Sequence, residues 1–446
     1  MRTIRRVAVL GAGTMGSRIA AHFANAGIAV LLLDVVEAGA KDRNAAALRG
    51  MEAAASRKPP AFFDQAARKR ITAGNFEDDL GAIQNCDWVV EAVTEDLEIK
   101  RSLLEGVALW RRPGTVISTN TSGIPLRGMA EGFSKEFRRH FLGTHFFNPP
   151  RYLYLLEAIP GPETDSAVLD AVCAFAETRL GKGVVRAKDT PNFIANRIGA
   201  FLSGTVQQRM VEEGFTIEEV DALTGPLIGF PRTATFRLLD VIGLDVWSHL
   251  TENLYTQAPE DPWRERFGTP VYLRQMLERG ALGDKSGRGF YRRSGPQKDL
   301  EALDWRTLEY HPAARAGFAE LAPAAEIENL PERLRTLVAS PGRPGAFLWT
   351  LFRDVLLYAV GRVPEISDRI AEIDRAMCWG YGHRLGPFEI WDALGFKATL
   401  EHMRRDGCAI PDSIERMLAS GATSFYRPAD AGGRPRNEYF DLRDGL

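Results

Sequence analysis

The chain opens on a short run with no polar alternation, Val7-Ala8-Val9-Leu10, the pattern of a strand buried on both faces. It runs into Gly11-Ala12-Gly13-Thr14-Met15-Gly16, after which Ile19, Phe23 and Ala26 fall on one side of a predicted helix. A second apolar run, Ile28 to Leu33, ends at Asp34. Charged helical stretches are expected over 37–57 and 64–73, and further strands at Trp88–Val90, Thr115–Ser118 and Thr144–Phe147. Alternating buried strands and helices predict a doubly wound parallel sheet with a ligand crevice outside the carboxyl ends of its strands.

From about Asp189 the texture changes to helices with short breaks, Asn196–Glu213 among them, and Phe267–Leu282 leads into a glycine-rich turn. Prolines 296, 312, 323, 331, 341 and 344 mark a less regular stretch, read as a linker over 293–344. Beyond it the pattern repeats. Ile217-Glu218-Glu219-Val220-Asp221 recurs as Ile370-Ala371-Glu372-Ile373-Asp374, and Phe236, Asp240 and Gly243 recur as Phe388, Asp392 and Gly395. Shared order and shared aspartates predict a duplication. The expected organisation is a nucleotide-binding domain at 1–188, a first helical copy at 189–292, the linker, a second copy at 345–420 and a tail at 421–446.

The opening segment carries chemistry. Gly11 permits the tight strand-to-helix turn, Gly13 leaves room for a pyrophosphate, and Gly16 lets helix and strand pack closely. Thr14 and Met15 fall at the helix N-terminus, where free N–H groups and the dipole favour an anion. Asp34 is placed to accept hydrogen bonds from ribose hydroxyls. No Arg or Lys adjoins it in sequence, so a 2′-phosphate would meet a carboxylate, which favours NAD over NADP.

Composition narrows the remaining classes. At 446 residues the chain is too long for one domain. Its 56 Lys and Arg against 58 Asp and Glu give no general pull towards nucleic acid or anionic membrane. Cys86, Cys173, Cys378 and Cys408 lie far apart, as reduced, buried thiols do, and no metal-ligand spacing appears. Arg2, Arg5 and Arg6 precede an apolar run that stops at a glycine turn. No leader and no membrane span is expected, and the location expected is the cytoplasm.

A bound nicotinamide needs a neighbouring base, and histidine is the default at neutral pH. Of His22, His140, His145, His249, His311, His383 and His402, only His145 stands at the end of a late strand of the nucleotide domain. Glu157 interrupts the apolar run Tyr154–Ile159. If the two strands lie side by side, the carboxylate holds one imidazole nitrogen while the other faces substrate. A structural histidine and a solvent-facing acid are the alternatives.

The segments Ser118–Ser122, Gly143-Thr-His-Phe-Phe-Asn-Pro149, Lys188-Asp-Thr-Pro-Asn-Phe-Ile-Ala-Asn-Arg197 and Gly283-Asp-Lys-Ser-Gly-Arg-Gly-Phe-Tyr291 resemble the L-3-hydroxyacyl-CoA dehydrogenases of fatty-acid β-oxidation. The likeness is greatest to the dehydrogenase half of long bacterial proteins that also carry an enoyl-CoA hydratase. It implies a Rossmann-type domain followed by two helical domains of the family's C-terminal type. It also implies NAD-dependent oxidation of a 3-hydroxyacyl-CoA, with His145 and Glu157 as the catalytic pair. By the same resemblance Ser122 and Asn196 meet the substrate and Lys58 the CoA phosphates. Glu95, Lys100 and Asn148 lie beside the nicotinamide ribose, and Lys285 is a cofactor contact from the later loop. Asn192 departs from the glycine usual in shorter members, which leaves acyl-chain preference open.

Plainer readings exist for several of these. Ser122 and Asn196 suit helix caps, and Lys58 with Arg68, Lys69 and Arg70 could form a solvated basic face. A dehydrogenase of free hydroxy acids, or an NAD-binding protein without catalysis, would share much of the pattern. Shorter family members pair through their helical domain. A second copy without a His145 counterpart would therefore replace the partner subunit and leave a monomer. The partners expected are the acyl-CoA substrate and a fused or associated enoyl-CoA hydratase.

Overall fold

The computed structural model describes residues 3–431 and 434–443, so residues 432–433 and 444–446 of the expected tail lie outside the described residues. The chain divides into two compact units, Met1–Phe193 and Ile194–Leu446. The boundary lies five residues beyond the expected one. Asp189 accepts the N–H groups of Leu126 and Arg127 at 2.9 and 3.1 Å, which ties the end of the first unit back to its body.

The first unit is an eight-stranded sheet. Its strands are β1 (Arg6–Leu10), β2 (Ala29–Asp34), β3 (Ile71–Asn75), β4 (Trp88–Glu91), β5 (Val116–Thr119), β6 (Phe141–Phe146), β7 (Leu155–Pro160) and β8 (Gly183–Arg186). Their order is β3-β2-β1-β4-β5-β6-β7-β8. The first six follow the doubly wound order and are parallel. The doubly wound parallel sheet is extended at β7, which pairs antiparallel with β6, while β8 runs parallel to β7. The link from β6 to β7 is too short for a crossover. The central strands β1 and β4 carry apolar runs because both faces are covered: Val7, Val9, Leu10, Val89 and Val90 have no exposed surface. Helix α1 (Thr14–Asn25) packs Phe23 edge-on to Trp88 at 5.2 Å.

Two predicted helices are shorter than expected. The stretch 37–57 yields only α2 (Ala45–Ser56), and 64–73 yields one turn at Gln65–Arg68 before the chain enters β3.

The second unit is mainly helical, but residues 293–344 are folded, not a linker. The strands β9 (Tyr291–Ser294), β10 (Asp299–Asp304) and β11 (Glu309–Pro312) form an antiparallel sheet. The helix Leu330–Val338 follows and buries Leu330, Leu334 and Leu337. The tail likewise forms a hairpin, β12 (Tyr426–Ala431) with β13 (Arg434–Tyr439).

The aspartates of the sequence repeat make matching bonds. Asp221 Oδ1 accepts the N–H of Phe236 at 2.7 Å and Oδ2 the hydroxyl of Tyr291 at 3.0 Å. Asp374 Oδ1 accepts the N–H of Phe388 at 2.8 Å and Oδ2 the hydroxyl of Tyr426 at 2.7 Å. Asp240 accepts the N–H groups of Phe290 and Tyr291 at 2.8 and 2.9 Å. Asp392 accepts those of Phe425 and Tyr426 at the same two distances. Each tyrosine so held begins the strand that follows its helical segment.

The surface of the helix Ala195–Glu213 is covered by the helix Gly342–Gly361. Phe201 stacks on Tyr358 at 3.8 Å, and the buried Arg197 donates to the Tyr358 hydroxyl at 2.6 Å and to Asp261 at 2.6 Å.

Candidate active site

The turn after β1 is built as its glycines predict. Gly11 has φ +100°, and a Cβ there would lie 2.6 Å from the Ala92 carbonyl oxygen. A Cβ on Gly16 would fall 1.8 Å from the Gly11 oxygen. Around Gly13, by contrast, nothing lies within 4 Å of a Cβ position. The open side of this glycine faces a cleft of about 290 Å³ whose lining includes Ala12, Gly13, Thr14, Arg18, Asp34 and Arg49. Gly13 begins α1 without a side-chain cap, so the N–H groups of the first turn, Thr14 and Met15 among them, remain available to a ligand. Asp34 Oδ2 accepts the Ala12 N–H at 2.6 Å and Oδ1 that of Val35 at 2.7 Å. These bonds fix the carboxylate at the cleft wall with lone pairs to spare. Space, donors and acid fit a dinucleotide.

The fold adds a cation to this cleft that sequence adjacency does not reveal, without changing the preference for NAD. No cation adjoins Asp34 in sequence, but α2 brings Arg49 to the same cleft, paired to Glu37. Arg18, also in the cleft, donates to Asn148 Oδ1. Burial and the neighbouring Arg57 charge hold Arg18 below the usual guanidinium range.

At the ends of β4 and β5 lies a buried polar network. Lys100 Nζ sits 2.8 Å from Glu91 Oε1 and 3.2 Å from Glu95 Oε2, with the Lys100 and Glu91 side chains 1% and 0% exposed. Glu91 Oε2 accepts the Thr119 hydroxyl at 2.6 Å. Glu95 Oε1 accepts the Thr121 hydroxyl at 2.5 Å and the Ser122 N–H at 2.8 Å. Three expected site residues, Glu95, Lys100 and Ser122, are thus one cluster, and Ser122 is not a helix cap. Sequence reasoning missed Glu91 and Thr121. The signal for Glu91 was present, since it ends the apolar run of β4 as Asp34 ends that of β2.

His145 and Glu157 are direct register partners across β6 and β7. Nδ1 lies 2.7 Å from Glu157 Oε2, and both residues are buried. Phe147 and Phe193 flank the imidazole at 4.5 and 5.7 Å between ring centroids. Asn192 and Phe193 both have positive φ, 60° and 55°. Asparagine tolerates that left-handed region far better than most residues. With Nδ1 held by the carboxylate, Nε2 is the nitrogen left for proton exchange.

The later part of the loop after His145 is held by two cations. The buried Lys182, pushed down to about 8 by desolvation, donates to the Pro150 carbonyl and to that of Leu153 at 2.7 Å. Arg151 donates to the Phe62 carbonyl at 2.7 Å and stacks over Phe63 at 4.3 Å. It thereby holds the segment that carries the exposed Lys58. Asn196 and Lys285 belong to the second unit. Asn196 lies in the first turn of Ala195–Glu213, after its cap Ile194, and Lys285 pairs with Asp245 at 2.6 Å.

A dinucleotide cleft at the head of a doubly wound sheet, with a carboxylate-oriented imidazole in the same unit, defines a nicotinamide-dependent oxidoreductase class. The description "3-hydroxyacyl-CoA dehydrogenase, NAD binding domain" matches residues 6–190, and "3-hydroxyacyl-CoA dehydrogenase, C-terminal domain" matches 193–293. A probable 3-hydroxyacyl-CoA dehydrogenase of Bacillus subtilis is 44% identical over 95% of this chain and 55% of its own length. One from Deinococcus radiodurans is 47% identical over 66% of this chain and 84% of its own. The crystal structure of 3-hydroxybutyryl-CoA dehydrogenase from Escherichia coli shares the fold, with a TM-score of 0.70 over 94% of this chain and all of that one, at 23% identity. The chain belongs to the 3-hydroxyacyl-CoA dehydrogenase family. It spans about half the length of the B. subtilis relative. Among the described residues no helix is long and apolar enough to cross a membrane.

Proposed function

We propose that the chain oxidises an (S)-3-hydroxyacyl-CoA to the 3-ketoacyl-CoA with NAD, in the cytoplasm. The observation that carries this is the buried His145–Glu157 pair in the same unit as the dinucleotide cleft. Bound at that cleft, NAD supplies the acceptor for the hydride that leaves C3. His145 Nε2 takes the proton of the C3 hydroxyl, and Glu157 fixes the tautomer and stabilises the imidazolium. Ser122 and Asn196 hold the substrate, Lys58 meets the CoA phosphates, and Glu95, Lys100, Asn148 and Lys285 are assigned to the cofactor. A fused or associated enoyl-CoA hydratase is part of the proposal. A Rickettsia felis relative named putative fatty acid oxidation complex trifunctional enzyme, 33% identical over 90% of this chain and 56% of its own length, supports it.

One assay separates this reading from its rivals. NADH oxidation should be fast with acetoacetyl-CoA and at least a hundredfold slower with free acetoacetate. NADPH should serve poorly, because Asp34 repels a 2′-phosphate. Equal rates with the free acid would favour a hydroxy-acid dehydrogenase. No turnover beside tight NAD binding would favour a non-catalytic protein.

We further infer that residues 345–420 duplicate the first helical segment and occupy the place of a partner subunit. The matching aspartate bonds and the Phe201–Tyr358 stack support this. Tethering raises the effective concentration of such a pairing into about the mM range. Light scattering at micromolar concentration should find a single chain of 49.4 kDa. A stable dimer joined through these helices would refute the assignment.

A further inference from the structure

The duplicated half of the second unit holds a side chain in direct contact with a residue of the proposed site. Asn196 is only 8% exposed, and its Oδ1 accepts the hydroxyl of Tyr381 at 3.1 Å. Tyr381 caps the helix Ile370–Gly380, where its N–H donates to the Met377 carbonyl at 3.1 Å. The phenol lies flush against the helix that carries Asn196. A Cβ on Gly199, one turn on, would fall 2.4 Å from Tyr381 Cζ and 2.5 Å from its oxygen. On its other side the ring meets His383 edge-on at 6.2 Å, and His383 is itself stacked on Phe230 at 3.5 Å. The tyrosine is walled into one orientation.

A side-chain amide presents an acceptor at one end and two donors at the other, and its terminal torsion is broad and roughly two-fold. A hydroxyl fixed on Oδ1 breaks that symmetry. It commits the oxygen inwards and leaves Nδ2 as the end offered elsewhere. A donor is what a substrate oxygen needs while charge develops on it during proton and hydride transfer.

We propose that Tyr381 is a positioning residue that fixes the amide of Asn196 so that Nδ2 faces the substrate oxygen. The second helical segment then contributes to turnover as well as to packing. The proposal rests on the reading of Asn196 as a substrate contact.

The test is a double-mutant cycle on the full chain, read as acetoacetyl-CoA reduction by NADH well below the unfolding midpoint. Tyr381→Phe keeps the ring over Gly199 and removes only the donor. It should lower kcat about tenfold, leave the KM for NADH within twofold and leave the unfolding midpoint in place. Asn196→Ala should cost about 10²-fold, as loss of a transition-state donor does. Adding Tyr381→Phe to Asn196→Ala should then change nothing further. Unchanged turnover in Tyr381→Phe would overturn the proposal, as would a tenfold loss that persists in the Asn196→Ala background. Wild-type turnover in Asn196→Ala, with an inactive His145→Gln, would remove the Asn196 assignment and this proposal together while leaving the enzyme's function standing. An inactive wild-type chain would sink the functional reading itself, and the proposal with it.

Discussion

Replacing His145 with Gln should leave NAD binding nearly unchanged and lower kcat by about 10²–10⁴-fold, the usual share of positioned proton transfer. Glutamine keeps a polar side chain between Phe147 and Phe193, so the packing survives. It cannot accept the hydroxyl proton and carry the resulting charge. Glu157→Gln should also lower kcat, because an amide in place of the carboxylate 2.7 Å from Nδ1 no longer stabilises an imidazolium. Steady-state rates with acetoacetyl-CoA, beside a fluorescence titration with NADH, separate the two effects. Wild-type turnover in His145→Gln would place the base elsewhere.

Lys100→Met should destabilise the first unit by about 3–5 kcal/mol, the cost of leaving a buried charge without its partner. Glu91 has no exposed surface, and the lysine ammonium is the cation beside it. Methionine fills similar volume, so a cavity does not account for the loss. The double variant Lys100→Met with Glu91→Gln, which removes both charges, should recover much of it. Urea denaturation checks both variants. A loss under about 1 kcal/mol in the single variant would mean that the pair behaves like an exposed ion pair.

Much of the site was readable before the fold was known. The glycine turn, the acid ending β2 and the histidine ending β6 each sit where strand-and-helix alternation placed them. Other features were hidden for identifiable reasons. The run Ile71–Asn75 is a short edge strand with only part of it buried, and alanines just before it read as helix. The reversal at β7 was written in the spacing of His145 and Glu157, since a parallel return needs a dozen or more connecting residues. Arg49 reaches the Asp34 cleft on a separate helix, which adjacency in sequence cannot show. In the stretch 293–344 the prolines masked a three-stranded sheet, because loop composition and short exposed strands look alike. Helix-cap readings of Ser122 and Asn196 failed because the helices nearest them begin at other residues.

The register of β6 on β7 sets what variation this scaffold tolerates. Side chains alternate along a strand, so a slip of a single residue would turn His145 to the other face and separate it from Glu157. The pairing of the dyad is set by the β6–β7 ladder itself and not by the residues between Phe146 and Leu155. That loop carries Asn148 and Arg151, the latter holding the Phe62–Phe63 segment. An insertion or deletion there would move Asn148 and release the Phe62–Phe63 segment before it disturbed the ladder that pairs His145 with Glu157.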